Sequence, residues 1–345
     1  MAAVGTRPAR ADEVIILPYL GYGTPRKLTV CGRVLEDKGF RPAGERDSRW
    51  RNLVHFWKRL ESDEVPGAAV RGFFNTVQRS TTTDREGYFR LEIPARALKG
   101  GVWYPVELEL ADDPAVKATA RVLVPPARAR FGVISDIDDT IVATNVTHKA
   151  RMIVSLALSS ARTRKPFPGV AAFYRALHAG LNPVFYVSKS PWNLYAPLVE
   201  YLDLQGFPRG PLLLRDFGFR MGKEHKRKAI EQILATYPRL PFVLSGDSGE
   251  QDPEIYSAIL RRHPRRIRAI YIRSVDPRRV LDVEKLAREV AATGCQLVLA
   301  PDAETAAAHA AAEDLIQASE LRAVRADSAS DRSSSKPALS SGGLK

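Results

Sequence analysis

The sequence predicts an α/β protein: a Rossmann-like parallel sheet with helices on both faces, preceded by a small, mostly-β, sandwich-like domain. The first observation is that short β-branched runs alternate with helical segments after about Arg130. The second is that the preceding part consists mainly of short apolar or alternating runs punctuated by Gly and Pro. A length of 345 residues exceeds what one hydrophobic core usually serves, which also favours two domains.

The mostly-β domain is predicted over residues 13–124, after a disordered N-terminus of residues 1–12. In "WYPVELEL", Val106, Leu108 and Leu110 alternate with glutamates, which is the period-2 pattern of a half-buried strand. In "TTTDREGYFRLEIP", a turn over Asp84–Gly87 leads into a further strand. One helix is predicted within "RWRNLVHFWKRLES", and residues 125–130, "PPARAR", are predicted to be a linker.

The second domain is predicted over residues 131–317. Its strands are "FGVIS", "PVFYVS", "PLLLRD", "PFVLSG", "IRAIYI" and "CQLVLA", and the helical segments between them include "AAFYRALHAG", "KEHKRKAIEQILATY" and "DPEIYSAILRRH". Because strands that alternate with helices pair in parallel, a ligand is expected at the carboxyl ends of these strands. Residues 318–345 are rich in Ser and are predicted to be a disordered tail.

Oxygen-bearing side chains follow three of the predicted strands. "SDIDDT" places Asp136, Asp138 and Asp139 at the end of the first strand, and Ser188 ends the second. "GDSGEQD" ends the fourth strand with two further aspartates, Asp247 and Asp252, and the helix "GKEHKRK" before that strand offers Lys223, Lys226 and Lys228. Crowded carboxylates repel one another unless a cation lies between them. Carboxylate oxygens suit Mg²⁺, so the sequence predicts a Mg²⁺ and phosphate site.

A strand-end carboxylate can attack phosphorus if a cation and a lysine screen the repulsion between two anions. A second carboxylate two residues later lies on the same side of an extended chain, and it can pass a proton to the leaving oxygen. The alternative is structural, since Asp and Thr also form turns and cap helices after strands. The recurrence of aspartates after a second strand favours the chemical interpretation.

The order D-x-D-x-T, Ser, Lys and G-D-x4-D resembles that of the haloacid dehalogenase superfamily of phosphatases. Longer phrases, among them "FGVISDIDDTI", "FYVSKSPWNLY" and "FVLSGDSGEQDPEIY", resemble the actin-patch phosphatidate phosphatase catalytic family over about residues 130–275. The resemblance implies a haloacid dehalogenase-type fold and a phosphoric monoester hydrolase. Its implied substrate is phosphatidate, cleaved through an aspartyl-phosphate to diacylglycerol and phosphate.

The resemblance also implies a role for each matching residue. Asp136 is the expected nucleophile and a Mg²⁺ ligand, and Asp138 is the expected general acid and base, with its carbonyl on the metal. Thr140 orients their loop, Ser188 hydrogen-bonds the phosphoryl group, and Lys226 stabilises its charge.

The remaining candidates of the second domain have expected places around the same site. Asp247 completes the metal site, with Asp252 close behind. Lys223 and Lys228 stay open as alternatives to Lys226, and Asp139 is expected in a turn. Lys189, beside Ser188, adds charge near the phosphate, where a small residue is expected.

The segment 145–165 lies where this superfamily places cap elements. Its apolar run "MIVSLALSS" is followed by Arg162, Arg164 and Lys165, so it is either a lipid-contacting cap or a buried helix. The N-terminal domain resembles a carboxypeptidase-regulatory or immunoglobulin-like sandwich through "TTTDREGYFRLEI", which implies no chemistry.

The charge of the chain favours anionic partners without choosing among them. Lys and Arg number 52 against 39 acidic residues, which gives a net charge of +13. A nucleic-acid end or a soluble phosphomonoester is an alternative substrate, although nucleic acid is not expected because no stacking platform of aromatic residues is evident. A non-catalytic scaffold is the second alternative. No apolar run is long enough for a spanning helix, and no secretory signal precedes the first domain, so the expectation is a cytoplasmic protein with peripheral contact to anionic membranes.

Overall fold

The computed structural model of the chain describes residues 13–37, 64–98, 103–137, 167–215 and 222–334. The chain divides into two compact units, Met1–Val124 and Pro125–Lys345. No described helix has the length and apolar content needed to cross a bilayer. The fold class predicted from the sequence is confirmed, since a mostly-β unit precedes a parallel sheet flanked by helices.

The N-terminal unit is one hydrogen-bonded sheet in which all described pairs are antiparallel except β2 with β8. Its order is β1-β3-β2-β8-β7-β4-β5, and β6 also pairs with β3. The eight described strands are β1 (Glu13–Pro18), β2 (Gly21–Thr24), β3 (Lys27–Asp37), β4 (Ala69–Phe74), β5 (Val77–Thr82), β6 (Tyr88–Pro94), β7 (Trp103–Leu110) and β8 (Lys117–Leu123).

The core of this unit comes from alternating strand residues. Val106, Leu108 and Leu110 of β7 are buried, as their period-2 spacing predicts. At the predicted turn, the Asp84 carboxylate accepts hydrogen bonds from the backbone N–H groups of Glu86 and Tyr88, both at 2.9 Å. The run "EVIILPYLGYG" forms two strands, β1 and β2. The helix predicted within "RWRNLVHFWKRLES" and the N-terminal residues 1–12 lie outside the described residues.

The C-terminal unit is built on a six-stranded, fully parallel sheet in the order β11-β10-β9-β12-β13-β14. Strand β9, which contains most of "FGVIS", lies in the middle of the sheet between β10 and β12. The strands are β9 (Gly132–Asp136), β10 (Val184–Pro191), β11 (Leu212–Arg215), β12 (Phe242–Asp247), β13 (Ile267–Arg273) and β14 (Leu297–Ala300).

Helices cover both faces of this sheet. Successive β-strand residues point to opposite faces. Ser135 of β9 hydrogen-bonds Tyr174 of α1, whereas Asp136 pairs with Lys226 of α3, so α1 and α3 lie on opposite sides. The described helices are α1 (Val170–His178), α2 (Tyr195–Leu204), α3 (Gly222–Thr236), α4 (Asp252–Arg262), α5 (Val280–Ala291), α6 (Ala303–Ala312) and α7 (Ala318–Ser334).

The prediction that residues 318–345 form a disordered tail is wrong for residues 318–334, which form α7. This helix packs against α1 and α6 and buries Val324 and Ser328. The Asp331 carboxylate accepts a hydrogen bond from the Gly169 N–H at 3.1 Å, directly before α1. The Ser-rich composition failed as a guide because the helix needs only a narrow buried stripe and a few polar contacts. The described part of the second domain therefore extends beyond residue 317.

One member of the arginine run around residues 261–268 has a structural role. The Arg266 guanidinium donates to the carbonyl oxygens of Leu234 at 3.2 Å, Tyr237 at 2.7 Å and Leu240 at 3.0 Å. The last carbonyls of a helix lack partners within the helix. Arg266 therefore holds the end of α3 and the loop that leads into β12.

Candidate active site

Three neighbouring strands bring the predicted residues to one edge of the sheet. Asp136 ends β9, Ser188 lies near the end of β10, and Asp247 ends β12. Asp136 is in register with Val187, the residue before Ser188, and Ser135 is in register with Ser245 on the other side. Because the strands are parallel, all three side chains lie at the carboxyl edge, where the sequence predicts the site.

Three carboxylates form a buried cluster at this edge. One oxygen from each of Asp136, Asp247 and Asp252 lies within 4.8 Å of the others. All three residues have no exposed surface. Such a group is unfavourable without a cation because each charge has lost its water and repels its neighbours.

Lys226 supplies a cation to the cluster from α3. Its Nζ lies 2.8 Å from Asp136 Oδ1, 2.5 Å from Asp252 Oδ1 and 3.0 Å from Glu250 Oε2. The side chain is fully buried. Burial alone would lower its pKa, but Asp136 and Asp252 outweigh burial and hold the pKa well above its usual value. Lys226 is therefore charged at every physiological pH.

The structure distinguishes Lys226 from one of the two alternatives named from the sequence. Lys228 is exposed to solvent. The side chain of Lys223 lies outside the description. The sequence contained an indication of this position. Lys226 precedes Ile230 and Ile233 by four and seven residues, and both isoleucines are buried. That spacing places Lys226 on the apolar face of α3, which points toward the sheet.

The loop "GDSGEQD" folds around its own carboxylates. Asp247 Oδ1 accepts the N–H groups of Gly249 at 2.6 Å and Glu250 at 2.9 Å. Asp252 Oδ2 accepts the Asp247 N–H at 3.3 Å. A Cβ at Gly246 would lie 2.3 Å from Asp252 Oδ2, so only glycine leaves room for this carboxylate. The hydrogen bonds of Asp247 and Asp252 thus hold the turn between β12 and α4.

The pKa values of these two aspartates rise because the site is buried. Burial, followed by repulsion from Asp252, raises the pKa of Asp247 to about 7. Burial also raises the pKa of Asp252, against the opposing effect of Lys226. In the protein without a metal ion, Asp247 is therefore partly protonated near neutral pH, and a cation at the cluster would favour its ionised form.

Glu250 is a site residue that the sequence reasoning missed. One of its carboxylate oxygens, Oε2, lies 3.0 Å from Lys226 Nζ and 2.8 Å from Lys189 Nζ. Burial would raise its pKa, but the two lysines outweigh burial and lower it. Its position inside "GDSGEQD" was a signal. What the sequence did not show is that Lys189, noted as an extra charge beside Ser188, would share Glu250 with Lys226.

Hydroxyl groups lie on the other side of β9. Ser135 Oγ lies 2.6 Å from the Tyr174 hydroxyl, which donates to Ser245 Oγ at 2.9 Å. Burial raises the pKa of Tyr174 to about 12, so it remains a neutral hydroxyl. These bonds join α1 to β9 and β12 just before the two strand-end aspartates. Ser188 is also buried, and its Oγ accepts the Ser190 N–H at 2.9 Å.

The structure therefore brings together Asp136, Ser188, Lys226, Asp247 and Asp252 as far as strand order, distances and burial define the site. Asp138, Asp139 and Thr140 lie outside the described residues, as does the segment 145–165.

Residues 131–274 match the family model described as phosphatidate phosphatase APP1, catalytic domain. Over 221 residues the chain is 31% identical to phosphatidate phosphatase APP1 of Saccharomyces cerevisiae, covering 61% of this chain and 37% of that protein. Over 209 residues it is 29% identical to an uncharacterised protein of Schizosaccharomyces pombe, covering 57% of this chain and 34% of that protein. The chain thus spans little more than a third of the length of these relatives.

Among solved structures, a phosphoserine phosphatase from T. onnurineus overlaps with a TM-score of 0.26 at 12% identity, covering 46% of this chain and 94% of that one. A carbohydrate acetylesterase from Xanthomonas citri overlaps with a TM-score of 0.28 at 14% identity, covering 74% of this chain and 68% of that one.

Proposed function

Residues 131–274 belong to the family of phosphatidate phosphatase APP1 catalytic domains, and on this premise we propose that the chain is a Mg²⁺-dependent phosphatidate phosphatase. The reaction would pass through an aspartyl-phosphate and release diacylglycerol and phosphate. The observation that carries the proposal is the buried contact of Lys226 with Asp136, within the carboxylate cluster of the matched segment.

The donor set of the cluster fits Mg²⁺. All three side chains offer carboxylate oxygens, the ligand type that this ion prefers. Asp136 and Asp247 would hold the ion, with Asp252 close behind and the Asp138 carbonyl as a further ligand. When bound, Mg²⁺ would neutralise charge on the phosphoryl oxygens and screen the attacking carboxylate from them.

The residues of the chain account for the rest of the chemistry. A carboxylate oxygen of Asp136 attacks phosphorus as the ester P–O bond breaks, and Asp138 gives a proton to the leaving glycerol oxygen. Asp138 then takes a proton from water, which attacks phosphorus and releases phosphate and free Asp136. Lys226 offsets negative charge on Asp136 and on the phosphoryl group throughout, while Ser188 donates a hydrogen bond to a phosphoryl oxygen.

Asp252 and Glu250 would keep Lys226 in place for this role. Three carboxylates around one buried ammonium group restrict its position and keep it protonated. The ammonium group can then attract the phosphoryl oxygens while these carboxylates hold it in place. Phosphoryl transfer asks mainly for position and charge of this kind.

Phosphate release from phosphatidate in mixed micelles tests the proposal, with Mg²⁺ and with a chelator. The native chain should release phosphate only with Mg²⁺, and Asp136→Asn should release none. Asp282→Asn, which removes an exposed carboxylate on α5, is the matched control and should keep full activity. Turnover of an aryl phosphate without turnover of phosphatidate would contradict the lipid substrate. Inactivity of the native chain on both would contradict the enzymatic role and favour a scaffold.

A further inference from the structure

A cavity of about 150 Å³ lies next to the carboxylate cluster, at the carboxyl ends of β12, β13 and β14. Ser245 and Gly246 of β12 contribute to its wall, and so do Tyr271 and Arg273 of β13. The opposite walls come from α1 and from α6. None of the cluster's residues lines this cavity, so it is a separate space beside the catalytic edge.

The wall of the cavity is mainly hydrocarbon. Phe167 and Pro168 precede α1, Phe173 lies on α1, and Ala303 and Ala306 lie on α6. An apolar protein cavity of about this volume takes up a group of roughly the size of benzene. The space therefore suits a short stretch of hydrocarbon chain.

Two arginines and one aspartate, Asp302, line the cavity. Arg273 is in register with Asp247 on the adjacent strand, and its guanidinium lies over the ring of Phe167. A second arginine, Arg332, lines the cavity from α7 and is half exposed, but its guanidinium lies 2.9 Å from Glu304 and 4.0 Å from Asp302, which offset its charge. The cation beside Asp247 and the apolar wall together match a molecule with an anionic head and a hydrocarbon body.

The cavity adjoins the site through β12. Gly246 lines the cavity, directly precedes Asp247, and packs against Asp252 so closely that no side chain fits. The cavity therefore borders the strand that ends in Asp247, one residue before a carboxylate of the cluster. The arrangement places a hydrocarbon site beside a phosphate site at one edge of the sheet.

We propose that this cavity binds the hydrocarbon segment nearest the phosphate of an acylated phosphate monoester and so gives the enzyme its preference for lipid phosphates. This inference rests on the proposed function, because it assigns the substrate's apolar part to a defined place. Arg273 faces the polar junction between head and chain, and the alanines of α6 leave the room that the chain occupies.

Binding to the full-length Asp136→Asn protein in Mg²⁺ buffer tests the cavity separately from turnover. The two probes are glycerol 3-phosphate and dihexanoyl phosphatidate, kept below its micelle concentration and measured by calorimetry. Each methylene that leaves water strengthens binding by about fourfold, so two or more predict an advantage of about tenfold or greater for the acylated probe.

Filling the cavity should remove that advantage. Ala306→Phe and the milder Ala303→Leu, each added to Asp136→Asn, are expected to reduce the ratio of the two affinities to below about threefold. Ala308→Phe is the matched control, since Ala308 is exposed on the same helix, and should keep the full ratio. Thermal unfolding identifies any variant that has lost its fold. If Ala306→Phe does not fold, the affinity ratio of Ala303→Leu decides whether the cavity binds the chain.

Equal affinity for the two probes, or no binding of either, would overturn the cavity assignment, and so would a ratio that survives both filling substitutions. Failure of the proposed function has a different signature. It would appear as a native chain that releases no phosphate, whatever the binding ratio.

Discussion

Replacing Lys226 with methionine tests the balance of charges at the centre of the site. The substitution keeps an unbranched apolar stem but removes the ammonium group that contacts Asp136, Asp252 and Glu250. Three carboxylates then share a buried region without this cation. Removing one partner of a buried ion pair typically costs about 3–5 kcal/mol, because the charge left behind can neither pair nor reach water.

The loss should depend on pH with a defined sign. The pKa of Lys226 is raised in the folded chain, so its stabilisation is fully present below its ordinary value of 10.5 and is lost only as the pH rises through the higher folded value. In Lys226→Met, Glu250 loses an attraction that lowers its pKa and Asp252 loses the one that opposes its rise, so both pKa values increase. Protonation then relieves their repulsion, so the variant should recover stability as the pH falls from about 7 to about 5.

The assay is urea-induced unfolding in chelator, followed by circular dichroism at both pH values. Lys228→Met is the control, because that lysine is exposed on the same helix, and it should cost less than about 0.5 kcal/mol. Phosphate release by Lys226→Met should fall by about 10²–10³-fold, the usual effect of losing one charge-stabilising group. A loss of stability below about 1 kcal/mol, or one equal to that of the control, would refute the reasoning.

Three further predictions concern single contacts. In chelator, the free energy of unfolding of the native chain should fall as the pH rises from the ordinary Asp pKa of 3.8 to about 7. The cause is the raised pKa of Asp247, because the folded state holds a proton that the unfolded state has lost. Urea titrations at several pH values should show a smaller pH dependence in Asp247→Asn. Arg266→Met should cost about 2 kcal/mol in the same assay by removing a donor that three carbonyls share, and the exposed Arg268→Met should cost almost nothing. Gly87→Ala should lower the melting temperature more than Gly67→Ala, since both have positive φ but only a Cβ at Gly87 meets a backbone oxygen, at 2.5 Å; equal effects would contradict the steric argument.

Much of the site could be read from the sequence because its residues follow strands. Asp136, Ser188 and Asp247 each come at the end of an apolar run, and parallel strands bring such ends to one edge. Lys226 was less certain, since three lysines lie close together on one helix. The helical spacing to Ile230 and Ile233 would have favoured it, because those positions mark the buried face.

Glu250 shows where sequence reasoning stopped. The residue lies between two aspartates of a recognisable motif, yet nothing local indicates that its carboxylate joins Lys226 of α3 to Lys189 of β10. Helix α7 gives the same lesson for the fold. Its Ser-rich sequence has little hydrophobic surface, and it is held in place by contacts with the neighbouring α6 and with α1, more than a hundred residues earlier in the chain.

By itself, the sequence determined the fold class, the division near Val124 and the strand-end carboxylates, because strand and helix periodicity and turn chemistry are local properties. Only the tertiary structure decided which lysine enters the cluster, which carboxylate bridges two lysines, how far the second domain extends and where a cavity remains. These features depend on which surfaces meet once the sheet has formed. Packing between distant segments sets them, and no short stretch of the chain encodes such packing.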